Sequence, residues 1–183
     1  MNTKTVGIVI GSLRKDSFNK KVAHFLTTIA PKHLTFQTLE IGDLPLYNQD
    51  FDEEGSPESY IRLRKEIKAL DAVLFVTPEY NRSVPGVLKN ALDVASRPYG
   101  QNAWKGKPAA VVSVSIGNIS GFGANHHLRQ SLTFLDMPTL QQPEMYLGDI
   151  ANSLDEQGNF NDAKTVELLT SFMNTFAEWI NKF

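Results

Sequence analysis

The sequence predicts an α/β fold: a parallel five-stranded sheet in the order 2-1-3-4-5, with helices on both faces. Three observations lead there. The runs TVGIVI, AVLFV and AAVVSVS are short and continuously apolar, as strands covered on both faces require. Each run gives way to a loop of glycine, proline or small polar residues, and then to apolar residues at helical spacing. The 183 residues, 42% of them hydrophobic, suffice for one domain with a full core across residues 1–183.

Taken in order, residues 5–10 form the first strand, and Phe18, Val22, Phe25, Leu26 and Ile29 mark the first helix. Residues 34–39 alternate well enough for a second strand, which makes the first crossover a right-handed parallel βαβ unit. Residues 43–55 read as a loop, in which Tyr47 has a packing role. Ser56-Pro57-Glu58 combines a cap, a first-turn proline and an acidic first turn, so a helix starts there and runs through Tyr60, Ile61, Leu63, Ile67 and Leu70. Residues 72–76 are the central strand. Thr77-Pro78 ends it, because proline lacks the N–H that a ladder needs. Pro85-Gly86 opens the next helix, with Val87, Leu88, Ala91, Leu92 and Ala95 as its stripe, ending near Arg97. Residues 98–107 form a polar connection to a fourth strand at 109–115.

A glycine-bearing loop follows at 116–123, and a helix from Asn125 runs through Leu128, Leu132 and Leu135. Met137-Pro138 breaks it. Residues 139–142 with Met145 and Tyr146 make a weak fifth strand, and 155–160 make a turn. Asp162 opens a terminal helix whose apolar face holds Val166, Leu169, Phe172, Met173, Phe176 and Ile180. Leu168 and Trp179 lie off that face, as exposed residues or as contacts for a partner chain. The total is five strands alternating with five helices.

Composition removes several function classes. A net charge of −2 provides no basic excess to attract nucleic acid or an anionic membrane surface. With no cysteine, disulfides, thiolate catalysis and iron–sulfur ligation are excluded. The adjacent His126 and His127 point to different sides of a helix, a poor metal pair, and at least one reads as surface. The N-terminus lacks the basic-then-apolar build of a signal peptide, and no stretch approaches the ~18 apolar residues of a spanning helix. A cytoplasmic location is the expectation.

In an open α/β sheet the loops at the carboxyl ends of the strands bind ligands. The loop after the first strand, GSLRKDSFN, joins Gly11, which permits close backbone approach, to Ser12, Ser17 and Asn19 at a helix N-terminus. Unpaired N–H groups and the helix dipole favour a phosphate there, and Arg14 adds a planar donor fork. The bland alternative is a capped helix beside a solvated arginine. Neither the Walker pattern nor the three-glycine dinucleotide fingerprint is present. The loop after the third strand sets Glu79, Tyr80, Asn81, Arg82 and Ser83 between two stiffening prolines, and its alternative is a solvated turn. The loop after the fourth strand has glycines that let backbone approach a planar group. Together the three loops suit a mononucleotide.

GSLRKDSFN and PEYNRSVPGVLKNALDVASR, in that order and at the ends of the first and third strands, resemble the NADPH-dependent FMN reductase family, which includes quinone, azo-dye and chromate reductases. The resemblance spans essentially the whole chain and implies a flavodoxin-like fold. It implies that Gly11, Ser12, Arg14, Ser17, Phe18 and Asn19 hold the FMN phosphate end, and that Pro78, Glu79, Tyr80, Asn81 and Ser83 line the isoalloxazine ring. Ser115, Gly117 and Gly121 resemble the family's third flavin contact, whereas GANHH at 123–127 departs from the usual continuation. The resemblance further implies NADPH or NADH as reductant, a quinone, azo compound, free flavin or similar acceptor, and a homodimer or homotetramer. The chemistry then belongs to the cofactor, and no catalytic side chain is assigned. The runner-up is a flavodoxin-like electron carrier that does not use nicotinamide directly. Carriers steered to basic partners are strongly acidic, and −2 argues against one. A non-redox module for a phosphate ligand leaves the 78–83 loop unexplained.

Overall fold

The computed structural model describes residues 2–183. Its strands are β1 (Lys4–Ile10), β2 (Leu34–Thr38), β3 (Ala72–Thr77), β4 (Ala109–Val114) and β5 (Met145–Leu147). They form one sheet in the order β2-β1-β3-β4-β5, every pair parallel, as expected. The helices are α1 (Phe18–Ile29), α2 (Asp50–Glu54), α3 (Glu58–Lys68), α4 (Gly86–Ala95), α5 (Phe122–Phe134), α6 (Ile150–Ser153) and α7 (Ala163–Ile180).

Side chains alternate across a strand, so the continuously apolar β1, β3 and β4 feed two cores at once. Val6, Ile8, Leu74, Val76, Ala110 and Val112 face α1 and α7, where Leu26, Phe172 and Phe176 are fully buried. Val9, Val73, Phe75 and Val111 face α3, α4 and α5, packing on Leu63, Leu88, Leu92 and Leu128. Each such large side chain contributes about 1.5–3 kcal/mol by leaving water. Register pairs Ile10 with Val76, Thr77 with Ser113 and Val114 with Leu147, which brings the carboxyl ends of β1, β3, β4 and β5 to one edge.

Several elements differ from the expectation. The 43–55 stretch contains the short helix α2, held by an ion pair that its polar sequence does not advertise: Arg64 of α3 lies 2.7 Å from Asp52. Helix α5 begins at Phe122 rather than Asn125, because Gly121, at φ 71°, already turns the chain into it. The fifth strand is only Met145–Leu147; Thr139 makes a lone bridge with Ala109, and 140–142 are not in the sheet. α2 and α6 raise the helix count from five to seven among the described residues. The polar 98–107 connection hides Trp104, fully buried against Phe75, with its Nε1–H donating to the Leu92 carbonyl at 3.1 Å. Trp179 is half-buried, and its Nε1–H donates to the Pro138 carbonyl at 2.8 Å. Leu168 is exposed.

Candidate functional site

The β1–α1 loop is built as the sequence suggests. Ser17 is the N-cap of α1, extended at φ −80° and ψ 127°, and its Oγ accepts from the Asn19 N–H at 3.2 Å. The first turn of α1 holds no acidic residue, so the positive helix end stays uncompensated. Gly11, Ser12, Ser17 and Asn19 are buried, Phe18 is half-buried, and Arg14 is exposed with no ion pair among the described residues. A Cβ on Gly11 would come within 2.9 Å of Thr77 Oγ1 and 3.1 Å of Pro78 Cδ, so glycine lets this loop lie against the end of β3. The Asn19 side-chain oxygen is buried without a hydrogen-bond partner. An unpaired buried acceptor costs about 1–3 kcal/mol, and only a donor, such as a ligand hydroxyl, can satisfy it.

The loop after β3 is a two-residue hairpin turn. Tyr80 and Ser83 exchange backbone hydrogen bonds at 3.0 Å each way, and Asn81 (φ 51°) and Arg82 (φ 65°) occupy left-handed positions. Asn81 suits that conformation, whereas Arg82 stands where glycine is the favoured residue. Glu79 holds the turn in place. Its Oε2 accepts from the Ala124 N–H at 3.0 Å in the first turn of α5, and its Oε1 accepts from Arg82 at 3.0 Å. A Cβ on Gly123 would lie 2.8 Å from the Arg82 carbonyl oxygen, so a glycine there lets turn and helix touch.

The loop after β4 is fixed from below. Ser113 Oγ donates to the Ser120 carbonyl at 2.8 Å, and Asn125, fully buried, donates to the Met145 carbonyl at 3.2 Å. Arg129 in turn donates to Asn125 Oδ1 at 2.8 Å and to the Leu140 carbonyl at 2.8 Å. Ser115 Oγ accepts from the Gly117 N–H at 3.0 Å. The loop tips on this edge carry exposed Leu13, Leu46, Tyr80, Ile116, Ile119 and Phe122, an apolar rim around a polar floor.

Sequence reasoning missed Asn90, which reaches from α4 to secure the loop after β2: its Nδ2 donates to the Pro45 carbonyl at 2.9 Å and its Oδ1 accepts from the Tyr47 N–H at 2.8 Å. An asparagine beside the apolar stripe of α4 was the available signal. Tyr47 packs on Tyr60 and donates to Asp52 at 3.0 Å, as its packing role requires. His126 and His127 are both exposed and diverge: His126 Nε2 meets the Tyr146 hydroxyl at 3.0 Å, and His127 Nδ1 meets Ser83 Oγ at 2.9 Å. Burial, with help from the Glu144 carboxylate, pushes the Tyr146 phenol up to about 12. A cleft of about 1000 Å³ runs between α4 and α5, from Ser83, Gly86 and His127 to Tyr99 and Phe134. Of the residues that the sequence assigns to the flavin only Ser83 lines it, so the cleft adjoins the three-loop site and does not coincide with it. Among the described residues no group of acidic, histidine or cysteine side chains could hold a metal.

The profile of the NADPH-dependent FMN reductases matches residues 4–152. The chain belongs to this family. A quinone reductase of Pseudomonas putida is 60% identical over 176 residues, spanning 96% of this chain and 94% of that protein. A 2-hydroxy-1,4-benzoquinone reductase of a Burkholderia species is 46% identical over 96% of this chain and 95% of its own. Among solved structures, the flavoenzyme NAD(P)H:(acceptor) oxidoreductase FerB of Paracoccus denitrificans superposes with a TM-score of 0.93 at 46% identity, covering 98% of each chain. As a member of the NADPH-dependent FMN reductases, the protein is an FMN-dependent NAD(P)H oxidoreductase with a flavodoxin-like fold. No helix among the described residues is long and apolar enough to cross a membrane.

Proposed function

We propose that the three-loop edge is the flavin site and that the acceptor is a quinone. The observation that carries the first part is the β1–α1 loop: a capped helix start without acid, buried serines and an uncommitted Arg14 fit a phosphate. Gly11, Ser12, Arg14, Ser17, Phe18 and Asn19 would hold that end of FMN. Pro78, Tyr80, Asn81 and Ser83 would line the ring, with Ser115, Gly117 and Gly121 on the far side. Glu79 differs in role, because its carboxylate is committed to α5 and Arg82, so it shapes the ring wall from behind.

FMN held there would supply the hydride chemistry between NAD(P)H and the acceptor. The chain's own residues orient the ring, exclude water with the apolar rim and keep the loops rigid through Glu79, Ser113, Asn125 and Arg129. The exposed Tyr80, Ile116, Ile119 and Phe122 favour a flat, weakly polar acceptor, and the quinone reductases named above support that choice. Dependence on NAD(P)H favours the cytoplasm, and the cores on both faces of one sheet favour a single domain over residues 1–183.

The test is direct. Flavin released from the purified protein should be FMN and not FAD, and anaerobic mixing with NADH or NADPH should bleach it, with colour restored by a quinone. Release of FAD, or no bleaching with either nicotinamide, would overturn the reading.

A further inference from the structure

Reduction of a quinone takes a hydride and a proton, and the nicotinamide provides only the hydride. The proton needs a route. His127 on α5 has its Nδ1 2.9 Å from the Ser83 hydroxyl, while its neighbour His126 turns to Tyr146. Ser83 closes the turn of the ring-lining loop, and both Ser83 and His127 border the cleft of about 1000 Å³ that opens beside it. His127 is exposed, so solvent can recharge it. A serine hydroxyl donates and accepts at once, which suits a middle position in a relay.

We propose that His127 delivers the acceptor's proton through the Ser83 hydroxyl. The inference rests on the placement of Ser83 at the flavin ring. The hydride's electron pair forms the new O–H bond at one quinone oxygen, that carbonyl's π pair moves into the ring, and the opposite carbonyl opens to a phenolate. The Ser83 O–H bond breaks as its proton passes to that oxygen, and the Nδ1–H bond of the His127 imidazolium breaks as its proton replaces the one lost by Ser83. Neutral His127 then takes a proton from water. Quinone, hydride and proton sum to the hydroquinone, with nothing left over. His127 is a positioning residue for this proton, because it acts through Ser83. The ionisable groups around it are Lys89, Asp93 and Arg97 from the α4 side of the cleft, Tyr47 and Tyr99 at its walls, and the Glu79–Arg82 pair behind the turn. Lys89 and Asp93 neutralise each other at 2.8 Å.

The test compares two acceptors on the FMN-loaded, reduced enzyme: benzoquinone, which needs a proton, and ferricyanide, which takes single electrons and none. His127→Gln should slow reoxidation by benzoquinone roughly 100-fold or more and flatten its pH profile, while ferricyanide stays within about twofold. Ser83→Ala should slow the benzoquinone reaction by a similar factor, and ¹⁵N NMR of the holoenzyme should show the His127 Nδ1 resonance moved by that substitution. An unchanged benzoquinone rate and pH profile, an equal loss with both acceptors, or an unmoved Nδ1 resonance would overturn the relay. The placement of Ser83 is tested apart, by the visible flavin band of Ser83→Ala. An unmoved band would overturn the placement and the relay with it; a moved band with an unchanged benzoquinone rate would overturn the relay alone.

Discussion

Arg14 separates a functional side chain from a solvated one by the size of a single effect. It is exposed and has no ion pair among the described residues, so its removal disturbs little within the protein itself. If its guanidinium meets the FMN phosphate, Arg14→Ala removes a charge-assisted hydrogen bond of about 1.5–3 kcal/mol. A fluorescence titration should then show FMN affinity reduced roughly 10–100-fold, with a much smaller loss for riboflavin, which has no phosphate. The FMN loss should shrink in salt. Equal losses for the two flavins would count against the phosphate role. Tyr146 offers a pH test of a different kind. Its phenol is pushed up to about 12 in the folded protein, first by burial and then by Glu144, so the neutral form is favoured by folding. That contribution is complete below the unfolded value of about 10 and disappears as pH rises through the folded value. Wild-type stability should therefore fall more steeply between those limits than that of Tyr146→Phe, measured by urea unfolding at several alkaline pH values. Parallel curves would contradict the burial of the phenol.

At the scale of elements, the segment between β2 and α3 shows how much a loop can depend on one ion pair. Arg64 donates to Asp52 at 2.7 Å, to Ser56 at 2.9 Å and to the Val94 carbonyl at 2.9 Å, tying α2, α3 and α4 together. Both side chains are nearly buried, at 11% and 7% exposure, so this is not a surface pair of marginal value. Arg64→Met should leave the Asp52 carboxylate enclosed without a cation and cost about 3–5 kcal/mol. Denaturant unfolding would read the loss, and a change below about 1 kcal/mol would mean that Asp52 finds water. None of this was visible in the sequence, because a helix of five residues lacks the repeats that periodicity needs, and Arg64 follows the buried Leu63 as any solvated charge would. Glu79 adds a tertiary contact that the motif does not contain: the approach of α5 at Gly123 brings the Ala124 N–H to its carboxylate.

For the whole molecule, the open question is its assembly. We expect a homo-oligomer, most simply a two-fold dimer, on the strength of the family and of the exposed Phe134 and Tyr99 at the mouth of the α4–α5 cleft. Light scattering at micromolar concentration should give at least twice the 20.4 kDa chain mass. A monomeric mass would contradict the expectation.

The sequence by itself determined the sheet, its order and the three converging loops. Strands buried on both faces must be continuously apolar, and a parallel βαβ chain has few allowed paths, so TVGIVI, AVLFV and AAVVSVS settle the topology locally. It also determined the cap of α1, because Ser17 acts on an N–H only two residues away. The tertiary structure decided what depends on groups distant in the chain: the burial of Trp104 in a polar connection, the bond of Trp179 to Pro138, the capping of α5 by Glu79 across 45 positions and the meeting of His127 with Ser83 across 44. Periodicity reports which face of an element is buried; it carries no information about which polar atom on another element will be opposite.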